Sequence, residues 1–344
     1  MMNKNKKTIA GLTLASMALS STTATAETAI AVGNYQATPV EAQDAAVSVK
    51  VSNVQGAFAF NQDVLSPSED VFNLYGTAVT GVCAKPAFAF EPGKEDGGVH
   101  YINVSGDMKF AYQVREEDFL TKVQNRVAAC SCAMGSAVTQ AQISGIPLAN
   151  ILSLADLYEG VNTLTVTSSD GYKVSMPLSY ALDRDAMLVY KINGEELADN
   201  QRTQLWMPGA VAKYFARDVV DIKVTAEASE PEIMTADADQ RAKICIVNHA
   251  DEADFKTYEA IQFEGYADDC GSPIASVEFS LDGGETWSVF ETANTTTDRW
   301  LYWYFTYTPQ QAGSYELQVR ARTQDGTVSP LASSVDFCVR DLQA

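Results

Sequence analysis

Between Ile261 and Phe337 apolar and polar residues alternate in short runs, and this alternation constrains the fold more than any other feature of the chain. Ile261-Gln262-Phe263-Glu264-Gly265-Tyr266, Val277-Glu278-Phe279-Ser280-Leu281 and Tyr315-Glu316-Leu317-Gln318-Val319-Arg320-Ala321 each turn every second side chain to one face. That is the period of a half-buried strand. Asp282-Gly283-Gly284 and Gln324-Asp325-Gly326 supply turns whose glycines accept positive φ. Short strands separated by such turns predict an all-β sandwich of roughly 100 residues. The acidic connector from Glu227 to Asp239, which contains Pro231, marks its start, so the expected module is 227–344. Within it, Trp300-Leu301-Tyr302-Trp303-Tyr304-Phe305-Thr306-Tyr307 puts aromatic rings on both faces of one strand. One face belongs in the core, and the other is expected at an interface.

Upstream, residues 63–226 mix both periods. Ile102–Gly106 reads as a strand, Glu116 to Val123 as a short helix, and Ile143 to Leu157 as a turn leading into a helix. Thr163 to Val174 reads as a hairpin around Ser169-Asp170-Gly171. An α+β domain is expected there. Residues 27–62 are rich in Ala, Val and polar residues with few turn signals, and are expected to form a partly ordered N-terminal extension. Two folded domains suit a chain of 344 residues that is 46% hydrophobic.

Lys4, Lys6 and Lys7 precede an apolar run from Ile9 to Leu19, and Ala24-Thr25-Ala26 offers a small-x-small cleavage site. Residues 1–26 therefore read as a signal peptide cut after Ala26, with the protein exported to the periplasm or cell exterior. The basic region holds no Arg-Arg pair, and no later run of 18 apolar residues predicts a membrane span. Lys+Arg 24 against Asp+Glu 44 gives a net charge of −20, which argues against a nucleic-acid partner. The histidines, His100 and His249, are too few for a zinc site and leave little basis for Ser-His-Asp chemistry. The cysteines at 83, 130, 132, 245, 270 and 338 are expected as buried thiols or disulfides, with the connectivity open.

Several stretches, in order, resemble the sulfite oxidase family of molybdopterin enzymes. Ile143-Ser144-Gly145-Ile146-Pro147-Leu148 is similar to the family's G-x-P-L element, with Cys132 upstream where the family places its metal-binding cysteine. Asp170-Gly171-Tyr172-Lys173-Val174-Ser175-Met176-Pro177-Leu178 and Leu188-Val189-Tyr190-Lys191-Ile192-Asn193-Gly194 resemble its D-G-Y and N-G strands. Pro208-Gly209-Ala210-Val211-Ala212-Lys213-Tyr214-Phe215-Ala216-Arg217 resembles its cofactor loop. Ile274–Trp287, with its Asp-Gly-Gly-Glu-Thr-Trp end, is similar to a strand pair of the family's immunoglobulin-like dimerisation domain. The resemblance spans roughly residues 63–340.

It implies an α+β molybdopterin-binding domain at 63–226 followed by an immunoglobulin-like sandwich at 227–344 that pairs in a homodimer. It further implies Mo-molybdopterin as cofactor and Cys132 as the thiolate ligand of molybdenum. Asn200, Ala212, Lys213 and Arg217 would contact the cofactor, and Tyr172 would touch substrate or relay a proton. The family's arginine before the Pro-Gly of the loop is Gln204 here, and no basic counterpart of its Arg-Asn-His segment stands in Val71–Gly76. A dianion would lack its clamp, so the expected reaction moves an oxygen atom to or from a small neutral substrate such as a sulfoxide or N-oxide. The chain has no C-x-x-C-H, so electrons would pass through a separate protein. A non-catalytic descendant acting as a binding or structural module is the alternative.

Overall fold

The computed structural model describes residues 47–68, 70–71, 100–197, 203–248 and 253–341. The expected signal peptide, Cys83, Asn200 and His249 lie outside them.

After a first strand, β1 (Ala57–Asn61), the central module follows as β2 (Ile102–Gly106), β3 (Tyr112–Val114), β4 (Gln124–Ser131) and β5 (Val138–Pro147). It continues as β6 (Thr163–Ser168), β7 (Lys173–Pro177), β8 (Met187–Ile192), β9 (Glu195–Glu196), β10 (Gln204–Trp206) and β11 (Val219–Thr225). These make two five-stranded sheets: one ordered β10-β8-β5-β4 with β9 beside β8, the other β3-β2-β11-β6-β7. The second sheet contains a parallel pair, β2 with β11. The β6–β7 hairpin forms around Gly171, whose φ is 86°. One apolar cluster joins Val104, Leu164, Val166, Met176, Leu188, Leu205 and Ile222, while a second, with Ile143, Met187, Val189, Trp206 and Phe215, also draws on β5, β8 and β10. Alternate residues of these strands thus feed two cores, the period-two logic that their sequences carry.

Helix is scarcer than an α+β reading expects. Glu116–Lys122 is a 3-10 turn, and the α-helices α1 (Leu148–Leu152) and α2 (Leu178–Asp183) have five and six residues. The segment expected to turn into a helix over 143–157 is instead the end of β5 followed by α1. Ile143 and Ile146 are β-branched and suit a strand, Pro147 closes it, and the apolar set Leu148, Ile151 and Leu152 lasts barely more than one turn before exposed Leu154. A helix that short persists only through packing. The central module is thus mostly β, with short helical inserts.

The remaining strands build the sandwich: β12 (Lys243–Ile246), β13 (Ala253–Lys256), β14 (Ile261–Asp268), β15 (Ile274–Ser280), β16 (Ser288–Glu291), β17 (Leu301–Tyr307), β18 (Gly313–Thr323) and β19 (Ser333–Arg340). They form a five-stranded sheet, β13-β19-β18-β15-β16, and a four-stranded one, β1-β17-β14-β12. Their inner faces share one core, in which Phe279 stacks on Phe305 at 4.0 Å between ring centroids. At the β15–β16 turn, Gly283 and Gly284 both have positive φ, and the Trp287 indole donates to the Gly284 carbonyl at 3.0 Å.

Residues 47–62, expected as an extension, belong to this sandwich. β1 pairs antiparallel with β17, and Ser48 and Val51 bridge to Ser314 and Leu281. Phe58 and Phe60 turn inward, with Phe58 5.5 Å from Phe290. The period-two signal covers only five residues, too few to be read without the strand it pairs with.

The sandwich and the central module dock through the aromatic strand. Trp300 is buried with Ala129 and Val138, stacks on Tyr266 at 5.0 Å, and has Tyr302 packed beside it. The outer aromatic face expected at an interface is therefore used at this end inside the chain. Gln140 completes the contact: its side-chain amide donates to the carbonyls of Gln62 (2.7 Å) and Val64 (2.9 Å) and accepts from the Trp300 amide at 2.9 Å.

Candidate functional site

The loop from Pro208 to Arg217 is the spine of the site. Its start is fixed by the parallel bridge between Ser131 and Val211, and its end by the bridge between Leu205 and Ala216. Between them Ala212–Tyr214 make one 3-10 turn, with Ala212 and Tyr214 buried. The Tyr214 hydroxyl accepts from the Met234 amide at 2.6 Å, which ties the acidic connector to the loop.

Cys132 follows directly on β4, so the Ser131–Val211 bridge brings it to the head of that loop. It is a free thiol, 4% exposed. Its amide donates to the Ala137 carbonyl at 3.0 Å and closes a tight turn, within which Gly135 comes back over the sulfur: a Cβ there would stand 3.5 Å from Cys132 Sγ. Beneath the turn lies a polar cluster that sequence reading did not find. Lys243 Nζ donates to Ser131 Oγ at 2.7 Å and to the Cys132 carbonyl. Asp268 lies opposite Lys243 in the β12–β14 ladder. Burial pushes the Asp268 carboxyl up to about 6, against the pull of Lys243 and the Ser131 hydroxyl. Next to it Asp269 is paired with Arg241 at 2.8 Å. Burial likewise raises the Cys270 thiol to about 12, so this cysteine is held as the thiol. These residues come from the far module, with nothing in local sequence to link them to Cys132.

Tyr172 is half-buried and its hydroxyl donates to the Lys213 carbonyl at 2.5 Å, so the expected pair meets through the main chain of Lys213. The Lys213 ammonium lies 5.8 Å from the Tyr214 ring centroid. At the loop's end Arg217 is half-buried, and burial lowers its affinity for the proton while Asp170 and Asp218 raise it. Asp218 also accepts from Ser169 Oγ and sits 3.8 Å from His100 Nδ1. His100 Nε2 donates to the Val219 carbonyl at 2.9 Å. Ser169 and His100 thus each face the carboxylate, which is not the order of a nucleophile, base and orienter. Gln204, where the family has arginine, is buried in β10 and accepts from the Trp206 indole at 2.9 Å. Asn200, the remaining expected contact, lies outside the described residues.

The central module thus joins an antiparallel sheet and a mixed one, with a buried cysteine at the head of a backbone loop. Residues 96–232 match the family model described as the oxidoreductase molybdopterin binding domain. The central module is therefore similar to a molybdopterin-binding domain, and that match points to Mo-molybdopterin as its cofactor. The sulfane dehydrogenase SoxCD from Paracoccus pantotrophus shares the fold, at a TM-score of 0.54 and 20% identity over 70% of each chain. A fibronectin(III)-like module of Clostridium thermocellum CbhA matches 29% of this chain and 99% of its own, at a TM-score of 0.23 and 18% identity. No curated protein matches the sequence.

The residues present suit the cofactor. A dithiolene-bound metal needs one soft protein donor rather than a ligand cluster, and Cys132 is a buried free thiol. Among the described residues no group of three or more His, Cys, Asp and Glu competes for a metal. No helix among them is long and apolar enough to cross a membrane.

Proposed function

We propose that this protein is an exported molybdopterin-dependent oxidoreductase that transfers an oxygen atom to or from a small neutral substrate such as a sulfoxide or N-oxide. The observation that carries the reading is the buried free thiol of Cys132 at the head of the loop, inside a module similar to a molybdopterin-binding domain. When bound, the cofactor supplies two-electron redox chemistry at a metal held by its dithiolene. Cys132 would furnish the thiolate ligand, and the Ala212–Lys213 main chain, Arg217 and Asn200 would hold the pterin and its phosphate. Tyr172, whose hydroxyl donates to the Lys213 carbonyl of the same loop, would touch substrate or relay a proton there.

Substrate charge is argued from what surrounds the cations. Gln204 is spent on Trp206, and Arg217 has Asp170 and Asp218 for neighbours. A dianion would meet offset charge, whereas a neutral sulfoxide or N-oxide needs only donors. Export is supported by the basic and apolar start of the chain, and electrons would pass through a separate protein. The sandwich is read as an immunoglobulin-like module through which a second copy pairs, on the support of its two-sheet build and its place after the molybdopterin domain.

The test is elemental analysis of molybdenum and tungsten in the protein purified from its native host, beside a Cys132→Ser variant. About one metal per wild-type chain, lost together with sulfoxide and N-oxide turnover in the variant, is the expected result. Metal retained by the variant, or a metal-free wild type, overturns the reading.

A further inference from the structure

The Cys132 turn is gripped from outside its own module. Lys243, the first residue of β12, reaches across the module boundary to donate to Ser131 Oγ at 2.7 Å and to the Cys132 carbonyl. From the acidic connector that precedes β12, the Asp237 amide donates to the next carbonyl, that of Ala133, at 3.0 Å. With the Cys132 amide bonded to Ala137, three backbone groups of the turn are fixed, two of them by residues that follow the central module. Ser131, Lys243 and Asp268 are all buried, at 2%, 7% and 2% exposure. An ammonium is seldom buried merely to dock two surfaces, because its desolvation is costly and an apolar side chain would dock as well. A charge-assisted bond to the peptide carbonyl of one residue does fix that residue's backbone, and hence where its side chain points.

We infer that Lys243, which lies opposite Asp268 in the β12–β14 ladder, is a positioning residue for Cys132, so that the sandwich sets the pose of the thiol in the neighbouring module. The inference rests on the reading of Cys132 as the molybdenum ligand, but its test does not depend on the metal. A ligand sulfur must be held in one orientation before the cofactor arrives, and a turn released on one side opens to solvent.

The experiment is site-resolved iodoacetamide labelling of the protein produced without molybdenum, read by peptide mass spectrometry with Cys338 as internal reference. A Lys243→Met/Asp268→Asn double variant removes both buried charges together. Loss of a charge-assisted bond should raise the Cys132 labelling rate about tenfold while Cys338 is unchanged, and molybdenum content of the same variant made with the metal should fall. If the double variant does not fold, Ser131→Ala removes one acceptor of Lys243 and should speed labelling by about threefold. Cys132 labelling within a factor of two of wild type in the folded variant overturns the inference. Molybdenum retained by Cys132→Ser would instead overturn the function, so the two failures are separable.

Discussion

Gly145 shows how a single residue of a recognisable motif acquires its physical reason only in three dimensions. In the sequence it is one glycine among short apolar residues. In the fold, β5 shifts register against β8 between Ser144 and Gly145, and a Cβ at Gly145 would stand 2.3 Å from the Leu188 carbonyl oxygen and 2.8 Å from Val189 Cα. Both obstacles are backbone, which cannot rotate away. Gly145→Ala should therefore push β5 from β8 and destabilise the protein by about 1–3 kcal/mol, measured as a lower urea midpoint with an unchanged m-value. Cys132 is the contrasting case. Its place upstream of this motif was legible by resemblance, whereas the Lys243 contact to its carbonyl was not.

At the scale of elements, the strands of the sandwich follow from alternation and turn chemistry. The β15–β16 turn is the clearest instance, because Asp282 organises it. Its carboxylate accepts from the Thr286 hydroxyl (2.5 Å), the Thr286 amide (2.9 Å) and the Ser280 hydroxyl (2.8 Å). These bonds hold the carboxyl down at about 2, led by the Thr286 hydroxyl. The folded value lies below the ordinary one of about 3.9, so the group favours the fold above about pH 4, and that contribution is lost as pH falls toward 2. Amide protection factors at Gly284 and Thr286 should drop between pH 5 and pH 2.5 in wild type, and Asp282→Asn should remove that pH dependence while lowering protection at pH 5. The helical elements were the less legible ones. Apolar spacing at Leu148, Ile151 and Leu152 gives α1 but sets no length for it, and neighbouring residues were drawn into β5 by pairing with β8. Strand β1 was missed for a related reason: five residues of alternation become a strand only beside β17.

Across the whole molecule, the described residues from 47 onward form one compact unit although they carry two modules. Gln140 is central to that union, since its side chain meets Gln62, Val64 and Trp300 and its backbone amide donates to Ser66 Oγ at 3.0 Å. Removing the side chain leaves several buried groups without partners, each costing about 1–3 kcal/mol. Gln140→Ala should lower overall stability by at least about 2 kcal/mol and replace one calorimetric transition with two, as the modules begin to unfold separately. A single transition of unchanged midpoint would show that the docking contributes little. The N-terminal segment tightens the same union, for residues 57–61 belong to the sandwich sheet while Gln62 and Val64 bind the central module.

By itself the sequence determined the alternating strands, the glycine turns, the acidic balance and the order of motifs that likens the central module to a molybdopterin-binding domain, because each of these is a local pattern or a series of local patterns. Tertiary structure decided the rest. It placed β1 in the sandwich, trimmed the helices, spent the outer aromatic face on module docking and set Lys243 beneath Cys132. Those outcomes depend on pairings between residues far apart in the chain, such as Lys243 with Ser131 and Trp300 with Gln140. No periodicity encodes such pairs; burial selects them when the two modules close on one another.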